Sequence, residues 1–139
     1  TLLFIATAAI NSLYAQDKFL FTPQTSLQTT SVKNQGNTGT CWSFAASSLL
    51  ESEKLITDTT ATDFSEMYFV KNAYIEKALI YVRLHGKSNF GQGGEAHDVI
   101  NIARKYGAVP QDVFESKEDK DKLYDHEALE TELKKYQNN

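Results

Sequence analysis

The stretch from Val32 to Leu55 reads VKNQGNTGTCWSFAASSLLESEKL and holds the only cysteine and the only tryptophan of the chain, Cys41 and Trp42. A polar loop over residues 33–40 carries two glycines, which permit a tight backbone path. Apolar side chains then recur at helical spacing: Phe44, Ala45, Leu49 and Ile56. The pattern predicts a loop that delivers Cys41 to the start of a helix.

The predicted position of Cys41 has chemical consequences. A thiol at the N-terminus of a helix faces unpaired N–H groups and the positive end of the helix dipole, which favour the nucleophilic thiolate. Thr38 or Thr40 can cap this helix. Six positions before Cys41, the amide N–H of Gln35 can join the backbone N–H of Cys41 in an oxyanion hole.

Each of these residues also has an ordinary interpretation. Free cysteine is among the most buried residue types, so Cys41 can be a small core residue. Gln35 alone fits a solvated loop position. The combination of Gln35, the glycines, Trp42 and a helix start favours the nucleophile hypothesis.

The segment from Gln35 to Ala45 resembles the active-site segment of papain-like cysteine peptidases, whose pattern is C-G-[SA]-C-[WY]. Thr38 takes the place of the first cysteine of that pattern, and Thr40 stands at its third position. The missing cysteine removes a disulfide common in the secreted papain branch. The chain is more similar to the bleomycin hydrolase or aminopeptidase C branch, as three later stretches also suggest: residues 64–68 (FSEMY), residues 93–94 (GG) and residues 105–110 (KYGAVP).

The resemblance implies an α+β fold in which residues 16–139 form the N-terminal, mostly helical side of a two-part cleft. It implies that Cys41 attacks a peptide carbonyl while Gln35 and the Cys41 N–H hold the oxyanion. Gly93 and Gly94 would pair with the backbone of an extended peptide, and Trp42 belongs to the same substrate-binding set. The family suggests aminopeptidase action, no cofactor and a possible homo-oligomer at full length.

The catalytic base is not evident in the chain. A papain-like thiolate needs a histidine and an orienting asparagine or aspartate. These follow the cysteine by about 130–150 residues in papain, which lies beyond Asn139. We assign His85, His97 and His126 to surface or structural roles. We therefore expect a fragment whose base and orienter lie in a further C-terminal part, and which is inactive alone.

The uncharged run TLLFIATAAINSLYA over residues 1–15 is too short for a membrane span. It is typical of a truncated secretory signal peptide with cleavage after Ala15. A buried N-terminal helix is the alternative. The signal peptide predicts an exported protein, whereas the resembled branch is largely cytosolic.

A net charge of −4 argues against nucleic-acid binding. Cysteine and histidine show no zinc-ligand spacing, so no metal site is predicted. Four glycines fall within residues 86–94, which indicates either an ordinary loop or one that something approaches closely. Two other functions stay open: a non-catalytic homologue that captures peptides, and a structural protein with an unrelated thiol.

Three further helices are predicted. Ser65 is a good N-cap for a long helix to about His85, which Gly86 ends. Its tyrosines are expected in the core: Tyr68, Tyr74 and Tyr81. An amphipathic helix runs from Glu95 to Tyr106, with an apolar face: Ala96, Val99, Ile100, Ala103 and Tyr106. A surface helix is expected within residues 115–135, with a thin apolar stripe: Leu123, Leu129 and Leu133.

Overall fold

The computed structural model describes residues 21–58, 61–116 and 122–137. The described residues contain the helices α1 (Cys41–Asp58), α2 (Glu66–Arg83), α3 (Ala96–Tyr106) and α4 (Glu127–Gln137). Helices α1, α2 and α3 contact one another, and α4 packs on α2. The core therefore lies along α2, which touches all three other helices.

The buried face of α1 differs from the predicted one. Leu49 and Ile56 are 60% and 58% exposed. The buried positions instead carry mostly small or polar side chains: Trp42, Ser43, Ala46, Ser47 and Glu51. Small side chains let α1 approach α2 closely, and the buried hydroxyl of Ser43 donates to the Glu66 carbonyl at 2.9 Å. Apolar periodicity misses such a face because serine and glutamate can also be buried, and here Ser43 and Glu51 find hydrogen-bond partners within the protein.

Helix α2 begins as predicted, because the hydroxyl of Ser65 accepts a hydrogen bond from the Tyr68 N–H. It ends at Arg83, and Gly86 follows with a φ of 76°. Tyr74 is buried, while Tyr68 and Tyr81 pack partly buried against the core, as expected. This helix supplies half of the buried hydrophobic residues of the described core: Met67, Phe69, Val70, Ala73 and Tyr74.

Helix α3 agrees with the sequence pattern in extent, whereas α4 begins only at Glu127, so the predicted stripe residue Leu123 lies before the helix and is exposed. Val99 and Ile102 are the buried residues of α3, whereas the predicted Ile100 is 41% exposed. In the C-terminal helix, Leu133 packs against the core while Leu129 remains exposed. The predicted apolar stripe of the tail is therefore only partly used.

The described residues contain no strand, only two isolated β-bridges that pair Asn37 with Asp125 and Phe64 with Pro110. The helical side of the expected fold is present, and its α+β class stays a prediction. The signal peptide predicted over residues 1–15 lies outside the described residues. No helix in the described part of the chain is long and apolar enough to cross a bilayer.

A partly buried ionic cluster anchors the segment that precedes the cysteine loop. The Lys33 ammonium contacts the carboxylates of Asp63 and Glu66, the latter at 2.7 Å, and donates to the Phe64 carbonyl at 2.9 Å. Its distance to the Glu51 carboxylate is 3.9 Å. Glu51 also accepts from the Phe64 N–H and from the Thr30 hydroxyl. One ammonium thus interacts with three carboxylates, whose nearest oxygen atoms lie within 4.8 Å of one another.

The electrostatic balance of this cluster is sensitive to pH. Burial raises the pKa of Glu66, and the hydrogen bond from Lys33 opposes that shift. Burial alone would lower the pKa of Lys33, but its hydrogen bonds to Asp63 and Glu66 raise that pKa overall. The folded state therefore favours a charged Lys33 and tolerates protonation of Glu66.

We expect Lys33→Met to lower the free energy of unfolding by about 3–5 kcal/mol at pH 7, because it leaves buried carboxylates without a cation. The deficit should shrink as pH falls towards 4. A carboxyl whose pKa is raised in the folded state takes up a proton before its unfolded counterpart, which favours folding at acidic pH. Urea denaturation across this pH range measures the effect.

Lys54→Met is the matched control, because Lys54 makes an i,i+4 ion pair with Asp58 on the surface of α1. Such pairs contribute about 0.3–0.5 kcal/mol. Equal, pH-independent losses for the two variants would contradict the role given to Lys33.

Candidate active site

Cys41 is the first residue of α1, and its side chain is exposed. The interpretation of Cys41 as a buried core residue is therefore wrong. Thr40, which is fully buried, precedes it and accepts a 2.9 Å hydrogen bond from the Ser43 N–H through its carbonyl. The Cys41 N–H has no partner within the helix, as for any residue of a first helical turn. An accessible thiol thus lies beside a backbone N–H that the helix itself leaves without a partner.

The loop before Cys41 is closed by its own hydrogen bonds. The Gln35 amide donates to the Thr38 carbonyl at 2.7 Å, and the Thr38 hydroxyl donates to the Gln35 carbonyl at 2.9 Å. The Thr38 hydroxyl also pairs with that of Thr40. Because an amide nitrogen carries two hydrogens, Gln35 keeps a second N–H for another acceptor. The structure holds Gln35 within the cysteine loop, and its oxyanion role stays a prediction.

Gly36 docks the loop against the segment before α4. Its φ is 67°, and the next residue, Asn37, donates to the Tyr124 carbonyl at 2.7 Å. A Cβ on Gly36 would lie 2.6 Å from the backbone N and O of Tyr124. The glycine is thus required by both its backbone conformation and this close contact. The sequence indicated the tight turn at Gly36 but gave no sign of its partner.

Gln92 joins the cysteine loop to the glycine-rich segment, residues 91–94. Its side-chain oxygen accepts from the Gly39 N–H at 2.8 Å, and its carbonyl accepts from the indole N–H of Trp42 at 3.0 Å. One residue thereby holds the backbone before Cys41 and the side chain after it. The sequence marks Gln92 only as a member of a glycine-rich loop and shows no sign of these contacts.

The two predicted glycines differ in their surroundings. A Cβ on Gly94 would lie 2.6–3.0 Å from three atoms of the Trp42 ring, whereas a Cβ on Gly93 would meet nothing within 4 Å. The Trp42 side chain is only 6% exposed, and its ring packs against Gly94 in the glycine-rich segment. The structure therefore places three predicted site residues close to one another at the N-terminus of α1: Trp42, Gly93 and Gly94. Their contact with a peptide stays a prediction.

None of the histidines is hydrogen-bonded to Cys41 in the described part of the chain. His85 follows α2 with a φ of 52°, and exposed His97 lies 3.5 Å from the Asp98 carboxylate. The ring of His126 packs edge-on against Tyr74 and Tyr124. Burial lowers the pKa of His126, an effect that the charge of Asp125 opposes. These positions agree with surface or structural roles.

An accessible thiol at a helix N-terminus, in a loop that Gln92 ties to a glycine-rich segment, has the exposure and the electrostatic setting that a thiol nucleophile needs. The sequence model of the papain family of cysteine proteases matches residues 21–138. The chain therefore belongs to the papain family of cysteine proteases, and membership suggests cysteine peptidase activity with peptide substrates. A search of curated proteins finds no match to this chain.

We expect Gly94→Ala to lower the free energy of unfolding by about 1–3 kcal/mol, because the added methyl overlaps the buried Trp42 ring. Gly93→Ala is the matched control, since its methyl enters open space and should change stability by less than about 0.5 kcal/mol. Denaturation followed by fluorescence measures both variants, and Trp42, the only tryptophan in this chain, reports the displacement directly. Identical stabilities and emission spectra would contradict the contact.

Proposed function

We propose that the protein is a cysteine-type peptidase in which Cys41 is the nucleophile. The observation that carries the proposal is the exposed Cys41 thiol at the first residue of α1, beside a loop tied to the glycine-rich segment. Family membership supports the reaction class. Accessibility supports the nucleophile, because a thiolate must reach a substrate carbonyl.

The proposed reaction has two stages. The Cys41 sulfur attacks the carbonyl carbon of the scissile peptide bond, and the tetrahedral oxyanion accepts hydrogen bonds from Gln35 and the Cys41 N–H. The C–N bond then breaks, the amine leaves with a proton delivered by the general acid, and a thioester remains. Water attacks this acyl-enzyme, the C–S bond breaks, and the thiol is restored.

The proposal assigns the general base to a histidine outside these residues. Among the described residues, His85 is exposed after α2, His97 lies beside Asp98, and His126 packs against Tyr74. A base must come within hydrogen-bond reach of the group whose proton it takes. We accordingly infer a longer gene product that supplies the histidine and its orienting residue, and an inactive 139-residue piece.

The finer assignment is to an enzyme like bleomycin hydrolase or aminopeptidase C, with aminopeptidase action and a possible homo-oligomer. The support is the sequence resemblance, including Thr38 in place of the cysteine that secreted relatives use in a disulfide. The run over residues 1–15 supports export, with a cytoplasmic location as the alternative. Residues 16–139 would then be the N-terminal part of the peptidase domain.

In the full-length gene product, Cys41→Ala should reduce peptide hydrolysis by at least about 10³-fold, because the covalent route is lost. Mass spectrometry should find a peptidyl electrophile attached to Cys41 in the unsubstituted protein and no adduct in the variant. A full-length protein that binds peptides but neither hydrolyses them nor reacts rapidly at Cys41 would contradict the peptidase function. That result would favour the non-catalytic peptide-binding homologue.

Gln35→Ala should lower kcat by about 10²- to 10³-fold with little change in KM, because an oxyanion donor acts mainly in the transition state. Gln28→Ala is the matched control, since it removes the same side chain from an exposed position in the preceding segment. Steady-state kinetics on one peptide substrate compares them. A Gln35→Ala variant with the kcat of Gln28→Ala would remove Gln35 from the mechanism.

A further inference from the structure

Lys77 reaches from the middle of α2 to the glycine-rich segment. Its ammonium donates to the Gly91 carbonyl at 2.9 Å and to the Gly93 carbonyl. The same ammonium lies 5.8 Å from the centroid of the Trp42 ring and 5.9 Å from that of Tyr74. Lys77 is half-buried, and its contact with the Gly91 carbonyl is partly shielded from water.

The hydrogen bond to Gly93 fixes the direction of the neighbouring donor. The chain's described residues contain no cis peptide bond, so the peptide linking Gly93 and Gly94 is trans. In a trans peptide, the C=O and the following N–H point in opposite directions. Because the Gly93 C=O points to the Lys77 ammonium, the Gly94 N–H points away from it.

The Gly94 N–H is available for a ligand. No residue that the structure describes accepts a hydrogen bond from it. The backbone is also open at Gly93, where a Cβ would meet no atom within 4 Å. A backbone donor that has no partner among the described residues, on an exposed segment, is what an added peptide strand pairs with.

We propose that Lys77 is a positioning residue for peptide binding, which turns the Gly93–Gly94 peptide so that its N–H faces an extended peptide substrate. This inference rests on the proposed function. Lysine suits the task because its ammonium has three donors, enough for both carbonyls. Glycines at 93 and 94 would otherwise leave this peptide free to rotate, since glycine populates many backbone conformations.

The charges around Lys77 support this arrangement. Burial lowers the pKa of Lys77, while the carboxylates of Asp98 and Glu130 oppose that shift. Trp42 and Tyr74 present ring faces to the ammonium, which also favour the charged form. The two rings and the two carboxylates thus help to keep the Lys77 ammonium beside the carbonyls of Gly91 and Gly93.

The test uses the full-length gene product and compares how fast two electrophiles label Cys41. The first is a tripeptidyl electrophile, which is long enough to pair with the glycine-rich segment. The second is iodoacetamide, which reaches only the thiol. The ratio of the two second-order rate constants separates peptide pairing from thiol reactivity.

We expect Lys77→Met to lower the tripeptidyl rate about tenfold and the iodoacetamide rate by less than twofold. Lys77→Arg, which keeps the charge and the donors, should recover most of the tripeptidyl rate. Lys71→Met is the matched control, because Lys71 lies on the same helix with its ammonium 5.2 Å from the centroid of the Phe114 ring. It should leave both rates unchanged. If Lys77→Met does not fold, Lys77→Gln replaces it in the test. Its side chain is polar but too short to reach both carbonyls, so we expect the same fall in the tripeptidyl rate.

Two results would overturn the inference while leaving the peptidase intact. One is an unchanged rate ratio in both Lys77→Met and Lys77→Gln. The other is an equal fall in both rates, which would mean that Lys77 acts on the thiol and not on the peptide. If the tripeptidyl electrophile labels Cys41 of the unsubstituted protein no faster than iodoacetamide does, the proposed function fails and this inference fails with it.

Discussion

The two hydrogen bonds accepted by Gln92 connect the parts of the molecule that matter for its chemistry. They join residues on both sides of Cys41 to a distant part of the chain. Gln92 lies 53 positions after Gly39 and 50 positions after Trp42. Burying the Trp42 ring requires Gly94 above it, and the ring in turn orients the indole N–H towards Gln92. The thiol, the loop and the glycine-rich segment therefore form one cooperative unit rather than three separate features.

Polar contacts at the edge of a mainly apolar core hold this unit against α2. Lys33 pins the segment before the cysteine loop to the start of α2, while Ser43 ties α1 to the same turn. Both links converge on Glu66, whose carboxylate meets Lys33 and whose carbonyl meets Ser43. Buried polar groups tolerate few alternatives, because an unpaired one is costly. They specify where α1 starts, and so where the thiol lies.

The sequence predicted the parts of this structure that depend on neighbouring residues. The start and end of α2 followed from Ser65 and Gly86, because caps and turns are local. The buried face of α1 was mispredicted, because two serines and a glutamate are buried at positions where periodicity expects apolar side chains. Gln92, Lys77 and Tyr124 gave no local signal of their roles, since their partners lie far away in the chain. Those contacts exist only once the helices have packed.

The closure of the cysteine loop by Gln35, Thr38 and Thr40 has a consequence for where such a protein can work. The resembled secreted enzymes hold the corresponding loop with a disulfide, whose survival depends on the redox potential of its surroundings. Hydroxyl and amide hydrogen bonds have no such dependence. With Cys41 as the sole sulfhydryl of these 139 residues, the loop keeps its shape under the reducing conditions that keep a nucleophilic thiol unoxidised.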